Sequence, residues 1–199
     1  MRMLAYPTTC LLLCTAACGV ADATGLAPTT LGDAMAPVAC DGVADWEPAW
    51  MAAEARVLEL VNEARAAGAT CGDEAFPPAP PVKPDVRLQC AARVHSQDMG
   101  HRAFFSHENP DGEQAWDRLR KMGYAYSTMG ENIAWGQATP EAVLKTWLES
   151  PPHCKNIMTV SFEELGVGYY PKDDGHGRVK HYWTQDFGAP PAPVVRHHR

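Results

Sequence analysis

The seven cysteines constrain the structure of this chain more than any other feature of its sequence. Their number is odd, so at least one of them does something other than pair within the chain. Cys10 and Cys14 lie in an apolar N-terminal stretch that follows a single basic residue, Arg2. A basic start, a short apolar segment and small residues after it are typical of a signal peptide, and this segment is too short to span a bilayer as a stable helix. We therefore predict a signal peptide over residues 1–17.

Cys18 follows directly after the small residues Thr15, Ala16 and Ala17. Such a pattern resembles the lipobox of bacterial lipoproteins, in which the cysteine is lipidated and becomes the first residue of the mature chain. We expect lipidation of Cys18, which makes a membrane, reached through the lipid anchor, the first expected partner. The alternative is an ordinary secretory signal cleaved nearby, after Ala17 or Ala21. Under either interpretation the protein is exported to the cell envelope or beyond.

Four cysteines remain once the signal peptide and Cys18 are set aside. In an exported protein, four cysteines indicate two disulfides, for which three pairings exist. A metal cluster is the weaker alternative, because no C-x-x-C spacing occurs. The four residues are Cys40, Cys71, Cys90 and Cys154.

Charge and local composition exclude one class of partner and divide the chain. The net charge of −7 argues against a nucleic-acid-binding protein, whose surface is basic. Residues 18–45 are rich in Ala, Thr, Pro, Gly and Asp with little periodicity, which predicts a flexible tether. Residues 189–199 begin Ala-Pro-Pro-Ala-Pro and predict a proline-rich tail. Between them lies a predicted domain, 46–188.

Helices outnumber strands in the predicted domain and do not alternate with them, which indicates the α+β class with helices packed over a small antiparallel sheet. Apolar periodicity and capping signals predict four helices. They cover 50–68, a segment from about 85, 111–123 (with Asp111 and Gln114 as a capping box) and 139–150. Segments rich in aromatic and β-branched residues predict strands at 132–135, 165–170 and 179–187, the last two as a hairpin. The proline-rich segment 76–84 is predicted as an exposed loop.

Two of the eight histidines and one glutamate are the candidate functional residues. His107 lies in a polar loop, His153 follows the end of the fourth predicted helix, and Glu131 enters an otherwise uncharged strand, where a buried charge needs a partner. Such a set from separate loops can bind Zn²⁺ with an open coordination position, share a proton as acid and base, or form a hydrogen-bonded polar core. His95 shares an apolar helix face and is predicted as a core histidine bonded to backbone.

Five ordered segments carry a family resemblance: Phe-Phe-Ser-His107, Gly-Glu131-Asn-Ile-Ala, Trp147-x-x-Ser-Pro-x-His153-x-x-Asn-Ile-Met, Leu-Gly-Val-Gly168 and Tyr-Trp-Thr-Gln-Asp-Phe187. Together they resemble the bacterial members of the CAP superfamily, whose SCP domain is shared by cysteine-rich secretory proteins, venom antigens and plant pathogenesis-related proteins. The resemblance covers roughly residues 55–188. It implies an α-β-α sandwich around a small central antiparallel sheet, which agrees with the α+β class.

The resemblance also implies a site. In such proteins two histidines and one or two glutamates line a cavity that can bind Zn²⁺ or a related divalent ion. Carried over by motif, these residues are His107, His153 and Glu131. Glu149 lies one position short of the usual place of the second glutamate and is kept as an additional candidate ligand.

The resemblance implies a secreted binding or signalling module more than an enzyme. We expect a non-enzymatic module of the cell envelope that binds a divalent metal in its His/Glu cavity and presents a cleft to a lipid, a peptidoglycan fragment or a protein. The alternative is a metal-dependent hydrolase, peptidase-like or esterase-like, in which Zn²⁺ on the two histidines polarises water and Glu131 is the base. No G-x-S-x-G nucleophile elbow is present.

Of the three disulfide pairings, we prefer Cys71 with Cys154 and Cys40 with Cys90. Because Cys154 adjoins His153, the first bond would fix a cavity segment to the end of the first helix. The second would tie the incoming tether to the second helix.

Overall fold

A computed structural model describes Cys40, Val43 and residues 46–192. The predicted signal peptide, Cys18, most of the predicted tether and residues 193–199 lie outside the described residues. Within them, the five helices are α1 (Pro48–Ala67), α2 (Val86–Arg102), α3 (Ala115–Lys121), α4 (Pro140–Glu149) and α5 (Pro151–Met158). The strands are β1 (Ala69–Cys71), β2 (Glu74–Phe76), β3 (Lys83–Pro84), β4 (Thr128–Trp135), β5 (Glu164–Asp173) and β6 (Val179–Ala189). No helix in this part of the chain has the length and apolar character needed to cross a membrane.

The central sheet has the strand order β3-β5-β6-β4. Strands β5 and β6 form the predicted antiparallel hairpin, and β4 pairs antiparallel with the other edge of β6. The short strand β3 adds to β5 in parallel, so the sheet is mixed rather than wholly antiparallel. Strands β1 and β2 form a separate two-stranded ribbon directly after α1.

Helices cover both faces of the sheet, which gives the α-β-α sandwich that the resemblance implies. Because side chains alternate along a strand, each strand contributes to two cores. The face toward α1, α4 and α5 buries the larger core, which includes Val167, Trp147 and Trp183. The opposite face, which we call the α2 face, buries two smaller clusters around Leu88 and Met99.

Two glycines of β5 explain how closely α2 approaches the sheet. A Cβ atom at Gly166 would overlap the backbone of Leu88, and one at Gly168 would overlap the backbone of Ala92. Both overlaps would bring carbon closer to backbone atoms than real Cβ atoms come, so only glycine permits this contact. The Leu-Gly-Val-Gly168 segment is therefore the part of β5 on which α2 packs.

Several helix signals are confirmed and one helix differs from the prediction. Gly68 is the C-cap residue of α1, Asp85 caps α2 through the Arg87 and Leu88 amides, and Thr139 caps α4. The third helix begins later than predicted, with Gln114 rather than Asp111 as its N-cap residue. There the carboxylate of Asp117 accepts a hydrogen bond from the backbone amide of Gln114.

Helix α5 is absent from the prediction, which treats Pro151 only as the end of α4. Proline also suits the first turn of a helix, where the amide has no intrahelical partner, and Pro151 begins α5 in this way. His153 consequently lies on a helix and not in a loop. The segment 76–84 is also less exposed than predicted, because Val82 is buried with only 2% of its surface accessible.

Two disulfides join the pairs preferred from the sequence, Cys71 with Cys154 and Cys40 with Cys90. The first attaches α5 to β1. Buried Arg65 of α1 reinforces this attachment by donating to the carbonyls of Ile157, Thr159 and Phe162 at 2.7, 2.9 and 3.2 Å. The position of α5, and of the histidine it carries, is thus held by a covalent bond and by hydrogen bonds.

The second disulfide places Cys40 on the domain although the predicted tether extends to residue 45. Val43 is 2% exposed, and its amide donates to the Cys40 carbonyl at 3.0 Å. The domain therefore includes Cys40 and Val43.

Candidate functional site

Glu131 is the centre of the candidate site. It lies on β4 with its side chain on the α2 face and only 3% exposed. One carboxylate oxygen, Oε1, is 2.7 Å from Nδ1 of His107, and the other, Oε2, accepts a hydrogen bond from Nη2 of Arg118 at 2.7 Å. The partner that a buried carboxylate requires is thus supplied twice, by a histidine and by an arginine.

Arg118 connects the carboxylate to the loop that carries His107. Its side chain is 2% exposed on α3. Besides Glu131, the guanidinium donates to the backbone carbonyls of His107 and Glu113 at 3.1 and 3.2 Å. One buried cation therefore neutralises Glu131 and holds the backbone of the histidine next to it.

The loop that presents His107 is built around Asn109. The C-cap residue of α2 is Ala103, which adopts a left-handed conformation with φ of 55°, and the chain then turns toward β4. The Asn109 Oδ1 atom accepts hydrogen bonds from the amides of Asp111 and Glu113, each at 3.0 Å. This side-chain turn gives the loop a fixed shape without regular secondary structure.

The contact with Glu131 defines the state of the His107 ring. An ionised carboxylate can only accept a hydrogen bond, so Nδ1 of His107 carries the proton. When the ring is neutral, Nε2 is the nitrogen with a free lone pair, on a side chain that is 51% exposed. Burial by itself would raise the pKa of Glu131, but the hydrogen bond from His107 and the charge of Arg118 outweigh it and lower that pKa. The His107–Glu131 pair thus presents one exposed imidazole nitrogen, while the buried carboxylate holds the ring in place.

Asp186 lies directly opposite Glu131 in the register of β4 and β6. It is completely buried, and neither of its carboxyl oxygens has a hydrogen-bond partner among the described residues. Burial, followed by the negative charge of Glu131, raises its pKa well above the usual range. Asp186 is therefore the member of this facing carboxyl pair that is harder to ionise.

His95 completes the buried side of the cluster from α2. As predicted, it is a core histidine bonded to backbone, with Nε2 at 3.0 Å from the Ser106 carbonyl oxygen. Burial lowers its pKa to about 4. It is therefore neutral at physiological pH, and its contact with Ser106 supports the loop that carries His107.

His153 approaches from the other side of β4, which is an edge strand. Its backbone carbonyl accepts a hydrogen bond from the side chain of Asn132, the neighbour of Glu131, at 3.1 Å. Burial lowers the pKa of His153, and the charge of His107 lowers it further. Its Nδ1 atom is buried and has no hydrogen-bond partner among the described residues. The two histidines thus flank one strand edge, one from each face of the sheet.

Glu149 does not join this cluster. It lies near the end of α4, where its carboxylate forms an ion pair with Lys145 at 2.7 Å, and its side chain is 63% exposed. Its predicted role as a further ligand is therefore not supported by the geometry. Arg118 and Asp186, in contrast, belong to the cluster and were not predicted from the sequence.

The predicted ligand set His107, Glu131 and His153 does not form a metal site in this arrangement. Among the described residues, no three His, Cys, Asp or Glu side chains are placed to hold one ion. Both Glu131 oxygens are already bonded, and a cation on Oε2 would have to displace Arg118. The donors that remain are the His107 Nε2 atom and the His153 ring. Glu131 is suited to orienting His107, as carboxylates beside metal-binding histidines commonly do.

The same contacts make Glu131 a poor general base. A base must offer a free lone pair with a pKa near the working pH, whereas Glu131 is doubly bonded and its pKa is lowered. The hydrolase alternative, in the form that assigns the base to Glu131, therefore has no geometric support.

Comparison with known proteins agrees with this architecture. A model of the cysteine-rich secretory protein family matches residues 58–187. The chain is 41% identical over 107 residues to the uncharacterized protein YkwD of Bacillus subtilis, an alignment that covers 54% of this chain and 39% of that protein. It is 28% identical over 142 residues to the uncharacterized membrane protein YlbC of the same organism, with 71% of this chain and 36% of that protein covered. The chain thus spans less than half the length of either curated relative.

Two solved structures share the fold. An extracellular protein from Bacillus anthracis that contains an SCP domain superposes with a TM-score of 0.57 at 28% identity, covering 69% of this chain and 40% of that one. An outer surface protein of Borrelia burgdorferi superposes with a TM-score of 0.52 at 17% identity, covering 69% of this chain and 90% of that one. The second likeness concerns the fold alone. With the family match extending over more than half of its residues, the chain belongs to the CAP, or cysteine-rich secretory protein, family.

Proposed function

We propose that this protein is an exported, non-enzymatic CAP binding module whose His107 and His153 imidazoles hold a divalent metal such as Zn²⁺. The observation that carries the proposal is the 2.7 Å contact between His107 Nδ1 and Glu131 Oε1. It directs Nε2 of His107 outward as a ligand, and imidazole nitrogen suits Zn²⁺ and related ions. In this proposal Glu131 fixes the ring and does not touch the metal.

Export is supported by the two disulfides and by similarity to an extracellular SCP-domain protein. A lipid anchor at Cys18 is the further part of this proposal. It is tested by expressing the full chain and its Cys18→Ala variant in a bacterium, with Cys14→Ala as control, and comparing membrane and soluble fractions. We expect only the Cys18 change to release the protein from the membrane. Equal membrane retention of all three forms would refute the anchor.

Metal binding is tested by titrating Zn²⁺ into the purified domain by calorimetry. His107→Ala and His153→Ala should each abolish measurable binding, whereas His176→Ala, which removes an exposed histidine of the β5–β6 turn, should leave it unchanged. Glu131→Gln should weaken affinity by about ten- to a hundredfold, because the orienting carboxylate is lost. Unchanged affinity in His107→Ala would contradict the proposal.

The hydrolase alternative is tested on the same proteins with peptide, ester and peptidoglycan substrates. We expect stoichiometric metal without turnover. Turnover that His153→Ala abolishes in a folded protein would show that the module is an enzyme.

A further inference from the structure

The α2 face of the sheet is not covered along its whole length. Helix α2 ends at Arg102, while the β5–β6 hairpin continues beyond it. At the end of the covered part, Trp135 of β4 lies opposite Tyr182 of β6, which is buried next to Gly100 of α2. Beyond it, Lys172 of β5 lies opposite Lys180 of β6. We call this surface, with Phe105 from the loop after α2, the hairpin groove.

One end of the hairpin groove is aromatic. Phe105 and Trp135 are 46% and 52% exposed, and their ring centroids are 6.3 Å apart with the planes tilted by 50°. Large aromatic side chains normally bury most of their surface, so an exposed pair is informative. The rings stand beside a pocket of about 210 Å³. The pocket is lined by Ala103, Phe104, Phe105, Trp135, Lys180 and Tyr182.

The other end of the groove presents two lysines beside two carboxylates. Lys172 and Lys180 are directly opposite each other, an arrangement of like charges that destabilises a strand pair. Neither forms an ion pair with any described residue, although Asp173 and Asp174 are close in sequence. Asp174 is paired with Arg178 at 3.0 Å, and Asp173 accepts a hydrogen bond from the Gly175 amide. Both lysines line a second pocket of about 390 Å³ together with Asp173 and Asp174, and this pocket adjoins the first through Lys180.

We propose that the hairpin groove binds an acidic glycan. The apolar C–H faces of sugar rings pack on Trp135 and Phe105, and the carboxylates or phosphates of the chain pair with Lys172 and Lys180. Concave pockets that combine apolar walls with a few charged groups are the usual form of ligand sites. This inference deepens the proposed function, because it names the class of ligand that the binding module takes.

Charge favours a glycan over an anionic membrane surface. Membranes are recognised by clusters of about four to eight basic residues, whereas the groove offers two lysines on a chain with a net charge of −7. A discrete acidic group between two lysines needs no such cluster. The two lysines thus fit a ligand that carries its charges at defined positions.

The groove and the His107 site lie on the same face of the sheet. Trp135 and Glu131 lie on the same face of β4 and four residues apart, which corresponds to about 13 Å along the strand. Phe105 precedes His107 by two residues. The aromatic end of the groove is therefore the end nearer to His107.

The test is calorimetric titration of the purified domain with three six-ring probes, a galacturonic acid hexamer, phosphorylated maltohexaose and unmodified maltohexaose. We expect at least one acidic probe to bind, to weaken as salt is added, and to bind at least about tenfold more tightly than the neutral probe. Trp135→Ala and the double change Lys172→Gln and Lys180→Gln should each reduce that affinity about tenfold or more. The matched controls are Trp116→Ala, another exposed tryptophan, and Lys145→Gln, an exposed lysine outside the groove.

Three results would overturn the proposal. These are equal binding of neutral and acidic probes, affinity unchanged by the groove variants, and absence of acidic-probe binding. In the last case, groove-dependent binding to phosphatidylglycerol vesicles would assign the surface to a membrane. Zn²⁺ affinity is measured on the same variants and should not change, so failure of glycan binding with intact Zn²⁺ binding overturns this inference alone.

Discussion

Glu131 and Asp186 face each other across the β4–β6 pair, yet Arg118 and His107 bond to Glu131 alone and favour its ionised form. Asp186 has no such partner among the described residues, and burial raises its pKa well above the usual range. Two carboxyl groups with different environments thus occupy one buried face of the sheet. Glu131 determines how His107 is presented, whereas burial favours the protonated form of Asp186.

Removing the carboxylate of Glu131 should strongly destabilise the domain. Glu131→Ala leaves Arg118 buried at 2% exposure without its counter-charge, which costs about 3–5 kcal/mol in the free energy of unfolding. Urea denaturation of the disulfide-intact domain measures this loss. The control Glu149→Ala breaks only an exposed pair with Lys145 and should cost less than about 0.5 kcal/mol. Similar small losses for both variants would contradict the role assigned to the buried pair.

Gly168→Ala should separate α2 from the sheet. The added methyl group would overlap the Ala92 backbone, so one element must move, at a cost of about 3 kcal/mol or more in the free energy of unfolding. Gly175→Ala is the comparison, because nothing lies within 4 Å of its Cβ position and only its positive φ of 76° opposes the change. That backbone strain costs about 1–2 kcal/mol. Equal unfolding free energies for the two variants, measured in urea, would show that the packing of α2 does not depend on glycine at position 168.

Acid should weaken the domain through His95. Its pKa is lowered from 6.5 to about 4 in the folded state, so the unfolded chain takes up a proton between these values and the folded chain does not. The contribution of His95 to stability is therefore complete above pH 6.5 and falls as the pH drops toward 4, by about 3 kcal/mol over the window.

The comparison of wild type with His95→Gln isolates this contribution. Charges facing His95 come from Glu131, Arg118 and His107, and Asp186 titrates nearby with the opposite sign, but all of these are present in both proteins. The difference in unfolding free energy between them, measured in urea at pH 7.5 and pH 4, should shift against the wild type as the pH falls. A difference that is constant with pH would contradict the assignment.

Removing the disulfide between Cys71 and Cys154 should loosen α5. The bond closes a separation of 83 residues, and replacing both cysteines by alanine should cost about 4 kcal/mol. The matched double change at Cys40 and Cys90 opens a separation of 50 residues and should leave α5 in place. Hydrogen exchange measures the difference, with faster exchange of α5 amides expected only in the first variant. Unchanged protection of α5 would mean that Arg65 alone holds it.

Much of the fold could be predicted because its signals are local. Helix α4 begins where Thr139 and Pro140 indicate, and the β5–β6 hairpin follows from two aromatic and β-branched segments around a turn. Helix α5 could not be separated from the end of α4, because Pro151 is compatible with ending one helix and with beginning the next. The difference is decided by tertiary contacts of the second helix, including its disulfide.

The site could be predicted only in part for a related reason. The position of Glu131 in an uncharged strand indicates a buried partner, and His107 is one of the two that it has. Arg118 could not be identified, because an arginine on a short helix is normally exposed and nothing in its neighbours indicates 2% exposure. Glu149 shows the converse, since its motif position suggested a ligand while its place on α4 gives it Lys145 as a partner.

The bond between Cys40 and Cys90 also determines how the domain would respond to mechanical load. Tension applied to the chain before residue 40 passes through this bond into α2 as well as along the backbone into α1. Because α2 rests on Gly166 and Gly168 at the middle of the sheet, the load is shared with β5. Force applied from the N-terminal side is therefore transmitted through α2 to the central sheet, and α1 does not detach first.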